Sequence, residues 1–153
     1  MPSSWRIVKE AWSHAAFTGE GSRRWPGRWN SRGIPVVYTA ENRSLAILET
    51  LVNFEGTERS RLPPCVLFEA RFDARLVEAV VPAMLPPGWD AYPATPATRE
   101  FGDRWVAELR TAVLRVPSVV TRGEVNYLLN PSHPDFERIE IQRPDPVLWD
   151  SRL

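Results

Sequence analysis

"GRWNSRGIPVVYTAENRSLAILE", residues 27–49, passes from a loop through an apolar strand into a helix, and its few polar side chains fall near the ends of those elements. The run PVVYTA, 35–40, is apolar and β-branched, with a proline tolerated at its first position, and it predicts a buried strand. In ENRSLAILETLVNF, 41–54, Asn42 or Ser44 can cap a helix whose apolar stripe is Leu45, Leu48, Leu51 and Val52. At about 100° per residue, Glu49 lies roughly 40° beyond Leu45, at the margin of that stripe. Its carboxylate is therefore expected to point along the edge of the core.

Working outward, WRIVK, 5–9, reads as a short strand, and the segment 11–33 that follows holds four glycines and a proline, the composition of a structured loop. Loops of this length in compact domains usually carry function, and Trp12, Trp25 and Trp29 predict docking because such large side chains gain most by burial. Beyond the helix, PPCVLFEARF (63–72) and LVEAVV (76–81) predict two strands, and 82–96 a proline-rich surface loop. Thr95 before Pro96 signals a helix start, with Phe101, Trp105 and Leu109 as its buried face. AVLRVPS (112–118) predicts a strand, NYLLNPSHPDF (126–136) a turn-rich connection, and RIEIQ (138–142) a last strand before an extended tail. Strands outnumber helices. The expectation is one compact α+β domain over residues 1–153, a mixed sheet with a few flanking helices.

Nineteen basic and nineteen acidic residues cancel, which argues against direct nucleic-acid binding or attraction to a membrane surface. Lys9 is the only lysine. The arginine excess suits phosphate recognition but also follows from genomic base composition. Cys65 is the single cysteine and there are two histidines, so no internal disulfide and no all-protein zinc cage is expected. Neither a signal segment nor an apolar run of about 18 residues is present, and the expected location is cytoplasmic. The phosphate loop, the dinucleotide-binding glycine pattern, the nucleophile elbow and the zinc-protease motif are all missing.

What remains is a set of isolated polar residues at the ends of apolar elements: Arg6, Arg28, Tyr38, Glu49 and Ser118. Each has a structural explanation when taken alone. Glu49 could pair with Arg43 at the surface, Tyr38 could be a core aromatic with its hydroxyl satisfied, Arg28 could cap the loop, and Ser118 could begin a turn after Pro117.

Their order carries more. WRIVK, then GEGSRRWPGRWNSRGIPVVYTAENRSLAILETLV, GDRW, LRVPSVVTRGEVNYLLNPSHPDF and the terminal DSRL together resemble the RES-domain toxins of bacterial toxin–antitoxin modules, over nearly the whole chain. The combination is specific: GEG…GRWN, a tyrosine in the next strand, a helix glutamate eleven residues later, and VPS…NYLLNP. On this resemblance the family's arginine is Arg28, its strand tyrosine Tyr38, its helix glutamate Glu49 and its serine Ser118. Arg6 and Asn126 match recurrent polar positions. The resemblance implies a fold similar to ADP-ribosyltransferases, consumption of NAD as substrate with no true cofactor, and inhibition by a helix-turn-helix antitoxin of the Xre type. It also allows a toxin homodimer within a larger toxin–antitoxin complex.

Breaking the nicotinamide–ribose bond builds positive charge on the ribose, so a carboxylate beside it stabilises the transition state. Glu49 would fill that role, as carboxylates do in glycoside cleavage. Arg28 and Arg6 are candidates for the pyrophosphate. Tyr38 could stack on nicotinamide or donate its hydroxyl, and Ser118 could orient Glu49 or the ribose. The acceptor stays open: water gives a glycohydrolase, phosphate a phosphorylase, a protein side chain an ADP-ribosyltransferase. A non-catalytic binding module on the same fold is the alternative of a different class.

Overall fold

The computed structural model describes residues 1–153. In chain order the elements are β1 (Ser3–Lys9), α1 (Glu20–Arg24), β2 (Val37–Ala40), α2 (Arg43–Asn53), β3 (Cys65–Arg71), β4 (Val77–Ala79), α3 (Pro96–Ala107), β5 (Val113–Pro117), β6 (Val125–Leu129), β7 (Glu140–Ile141) and β8 (Asp145–Pro146), with short 3-10 turns between several of them. The strands form one mixed sheet in the order β4-β5-β6-β2-β1-β3-β7, with β8 also against β3. Only the β4–β5 pair is parallel. None of the helices is long and apolar enough to cross a membrane.

Alternation along the strands sorts side chains to two faces. On one face Val36, Leu114, Val116 and Leu128 pack with Trp105 and Val106 of α3 and with Trp29 from the 25–33 loop. Further along that face, Ala40 packs with Leu45 and Ala46 of α2, flanked by Trp5, Ile7 and Leu67. The opposite face carries Val37, Ala70, Phe72, Val113 and Leu129, covered by the 3-10 turns that contain Leu76 and Phe136. Two helices thus cover one face of the sheet, α3 over β5 and β6 and α2 over β1 and β2.

Several expectations are revised. The connection expected over 126–136 begins with β6, the strand joining β2 to β5. Its Leu128 and Leu129 are both fully buried, one on each face, so the run lacks the alternation that marks a half-exposed strand. The helix expected to include Leu109 ends at Ala107; Leu109 has φ of 50° and is 46% exposed, which places it in the left-handed position that closes the helix. The strand expected over 76–81 is reduced to Val77–Ala79, and that over 138–142 to Glu140–Ile141. Within 11–33 there is more regular structure than a loop: a 3-10 turn at Glu10–Ala15 and the helix α1. Of its three tryptophans only Trp29 is buried, while Trp12 and Trp25 face solvent.

The burial of α2 also differs from the expected stripe. Leu48 and Val52 are 41% and 52% exposed, and the fully packed positions are Leu45 and Ala46. Those two lie about 100° apart on the wheel, and Glu49 falls between them. The helix is rotated so that the carboxylate lies inside its sheet-facing surface rather than at the margin.

A cleft built around Glu49

The start of α2 fixes where Glu49 goes. Asn42 caps the helix by accepting from the Leu45 amide at 2.8 Å, and its side-chain amide donates to Glu124 at 2.8 Å. The Val125 amide donates to the Glu41 carboxylate at 2.9 Å. These bonds tie the first turn of α2 to the turn between β5 and β6. That turn begins at Ser118, whose amide donates to the Glu124 carbonyl at 2.9 Å.

Ser118 is 1% exposed, and its hydroxyl donates to Glu49 Oε1 at 3.3 Å while accepting from the Thr121 amide at 3.1 Å. Asn126, opposite both Ala40 and Val116 in the sheet, lies beside the same carboxylate, near enough for its side chain to favour the charged form. Burial pushes the Glu49 carboxyl above its ordinary value; Asn126, the bond from Ser118 and the charge of Arg28 pull it back. Arg43 stacks over the Trp5 ring at 4.6 Å, so it is not the ion-pair partner of Glu49.

Arg28 approaches from the other side of the cleft. Its loop is organised by Asn30, which is fully buried: Oδ1 accepts from the Gly27 amide at 2.9 Å and from the Tyr38 hydroxyl at 2.5 Å, and Nδ2 donates to the Ser22 and Ile34 carbonyls at 2.8 and 3.0 Å. Tyr38 in turn accepts from the Trp29 amide at 3.0 Å. Its hydroxyl is thus engaged inside the loop, and burial drives its ionisation far upward, which keeps the phenol neutral. The loop rests on α3 at Gly102, where a Cβ would meet the Trp29 carbonyl oxygen at 1.7 Å, and Asp103 accepts from the Ser31 amide at 2.8 Å.

Arg28 Nη1 donates to the carbonyls of Trp89 and Ala91 at 2.9 and 2.6 Å, leaving Nε and Nη2 as unengaged donors. The half-buried guanidinium is pulled below its usual range by desolvation and raised again by Asp90, Glu49 and Tyr38.

Of the residues singled out in the sequence, Ser118 and Asn126 gather at Glu49 and Arg28 lies within electrostatic reach of its carboxylate, with Tyr38 beneath the loop that carries Arg28. Arg6 does not join them. It alternates with Trp5 and Ile7 to the other face of β1, where Nε donates to the Ala16 carbonyl at 2.7 Å and Nη1 to the Tyr38 carbonyl at 2.9 Å. Desolvation pushes its pKa down to about 10, so it stays charged at neutral pH. Sequence reasoning missed Asn30, although it stands in the GRWN text. It also missed the contact from Arg28 to the 89–91 loop, about sixty residues away, for which the sequence offers no periodic signal.

Comparison with known proteins gives the family and the fold. The RES domain family matches residues 3–150. A Sphingobium protein described as a Prs ADP-ribosylating toxin is 39% identical over 99% of this chain and 96% of its own length. Proteins described as Toxin Res from Pseudomonas putida and Yersinia enterocolitica are 36% and 33% identical, each over 97% of both chains. A chain in the crystal structure of the M. tuberculosis MbcT–MbcA toxin–antitoxin complex superposes with a TM-score of 0.73 at 16% identity, over 95% of this chain and 84% of that one, which is a likeness of fold.

Proposed function

The chain belongs to the RES domain family, and from that premise we propose that it is a toxin that consumes NAD by breaking the bond between nicotinamide and ribose. The observation that carries this reading is the Glu49 carboxylate, half-buried on the sheet-facing side of α2, bonded by Ser118, beside Asn126 and within electrostatic reach of Arg28. As the nicotinamide leaves, the ribose takes on oxocarbenium character, and a fixed carboxylate in a partly desolvated cleft stabilises that charge more than it stabilises the neutral substrate. The Ser118 bond orients the carboxylate and Asn126 lies beside it, which lowers the reorganisation needed when the charge develops. The free donors of Arg28 suit a pyrophosphate oxygen. NAD enters as substrate, not as a resident cofactor, and no protein nucleophile is required.

Water as acceptor makes this an NAD glycohydrolase, and inorganic phosphate makes it an NAD phosphorylase. Transfer to a protein is the second reading, favoured by the Sphingobium relative described as ADP-ribosylating. All three share the bond-breaking step at Glu49. An antitoxin of the Xre type that covers the cleft is the partner this reading calls for.

Incubation of the purified protein with NAD, with and without phosphate and with cell extract, followed by mass spectrometry, separates the acceptors. Free nicotinamide is expected in every case, with ADP-ribose, its phosphorylated form or a modified protein as co-product. Glu49→Gln is expected to fold and to lose about a hundredfold or more of the turnover, the scale of removing one electrostatic stabiliser. Full turnover by that variant sinks the assignment.

A further inference from the structure

Beyond Arg28, a second guanidinium stands at the rim of the same cleft. Arg122 lies in the turn between β5 and β6, the turn that begins at Ser118. Its Nη1 donates to Asp90 Oδ2 at 2.7 Å, and its guanidinium sits 5.9 Å from the centre of the Trp89 ring. Asp90 falls between the two carbonyls that Arg28 holds, those of Trp89 and Ala91, and its carboxylate is within electrostatic reach of Arg28 as well. One carboxylate therefore serves two guanidiniums, one from each wall of the cleft.

Resting on the NAD-consuming reading above, we propose that Arg122 is a second phosphate-binding residue of the cleft, and that the Asp90 carboxylate stands in for a substrate phosphate between Arg122 and Arg28 until the dinucleotide displaces it. Charge balance favours this exchange. Arg28 and Arg122 are offset by Asp90 and Glu49, and a pyrophosphate adds two further negative charges. Glu49 has to remain for the chemistry, which leaves Asp90 as the carboxylate that moves.

The Asp90–Arg122 pair is suited to being broken. The two side chains are 36% and 67% exposed, and ion pairs so well solvated contribute little to stability. A pyrophosphate bridging two guanidinium forks forms several charge-assisted hydrogen bonds in place of one surface pair. Arg122 and Glu49 are linked through the Ser118 turn, so an anion gripped at Arg122 is positioned relative to the carboxylate that acts on the ribose.

A purely structural clip makes the opposite prediction for Asp90. If Asp90 served only to hold the 86–93 loop in place, its loss would loosen the site and weaken binding. As a resident competitor, its loss strengthens binding. The test compares native protein with Arg122→Ala, Arg122→Lys and Asp90→Asn, titrating ADP-ribose and inorganic pyrophosphate by calorimetry at two salt concentrations and measuring KM for NAD alongside.

Arg122→Ala is expected to weaken ADP-ribose binding and raise KM about tenfold, the scale of a lost charge-assisted hydrogen bond, and to flatten the salt dependence. Arg122→Lys should recover part of the loss. Asp90→Asn should tighten binding of both probes. Native protein that turns over NAD while Arg122→Ala matches it in Kd and KM, or while Asp90→Asn binds more weakly, overturns the proposal and leaves the assignment of Glu49 standing. Native protein that neither binds ADP-ribose nor cleaves NAD overturns both.

Discussion

Glu49 is a carboxylate under opposed pressures: burial favours its neutral form, whereas Asn126, Ser118 and Arg28 favour its charged one. Only the charged form can stabilise an oxocarbenium. Because burial is the largest contribution, the carboxyl titrates above its ordinary value of 4.5, and activity should fall at a higher pH on the acid side than an exposed glutamate would allow. Ser118→Ala removes one bond to the ionised form, so its acid limb should move to still higher pH while the plateau falls about tenfold, since a misoriented carboxylate also loses positioning. The pH profile of kcat for the parent and for Ser118→Ala checks both statements. An unshifted limb would mean that Ser118 shapes the turn and does not tune the acid. Glu49 itself was visible in the sequence as a lone carboxylate near an apolar stripe. That it sits inside the packed surface was not, because α2 uses the small Ala46, rather than Leu48 and Val52, to lie close on the sheet.

At the scale of elements, the site is two anchored pieces facing each other. One is α2 with the turn at 118–124, joined through Asn42, Glu124 and Glu41. The other is the Gly27–Gly33 loop, knotted by Asn30 and Tyr38 and laid on α3 at Gly102. The second piece has a sharp sensitivity. Any side chain at 102 drives into the Trp29 carbonyl, a backbone atom that cannot rotate away. Gly102→Ala should therefore displace the loop and Arg28 with it, reducing NAD turnover more than about tenfold, because ångström-scale misplacement of a substrate-holding group is costly. Helix content by circular dichroism should hold, since alanine is the better helix former, while the fluorescence of buried Trp29 shifts. Native turnover in this variant would show that α3 does not set the position of Arg28. The individual strands and helices around this loop were largely legible, because apolar runs and caps are local signals. Two of the revised expectations, those at β6 and at the end of α3, were also local in cause. In β6 the turn residues Asn130 and Pro131 follow directly on a five-residue strand, and in α3 the apolar spacing continues to Leu109 although the backbone has already turned.

Across the whole molecule, the order of strands was not legible, since β1 sits between partners drawn from distant parts of the chain. The consequence is a seam. β1 pairs with β3 along its full length, Ser3↔Arg71 through Lys9↔Cys65, but with β2 at a single position, Trp5↔Ala40. No further ladder position joins the two strands, and a side chain bonds to the backbone there instead. Arg6 does so, joining the Tyr38 carbonyl on one side to the Ala16 carbonyl on the other. Family resemblance alone would make Arg6 a pyrophosphate clamp; its bonds make it a brace across the seam. The two roles separate by measurement. As a brace, Arg6→Met leaves two carbonyls without their donor and should lower unfolding stability by about 1–3 kcal/mol. Amide exchange should then accelerate in β2, while KM for NAD rises little at temperatures where the variant is folded. As a clamp, the same substitution would leave the denaturation midpoint nearly unmoved and raise KM steeply. Because β2 carries Tyr38, and Tyr38 holds the loop of Arg28, loosening the seam should also lower kcat in step with the loss of protection in β2.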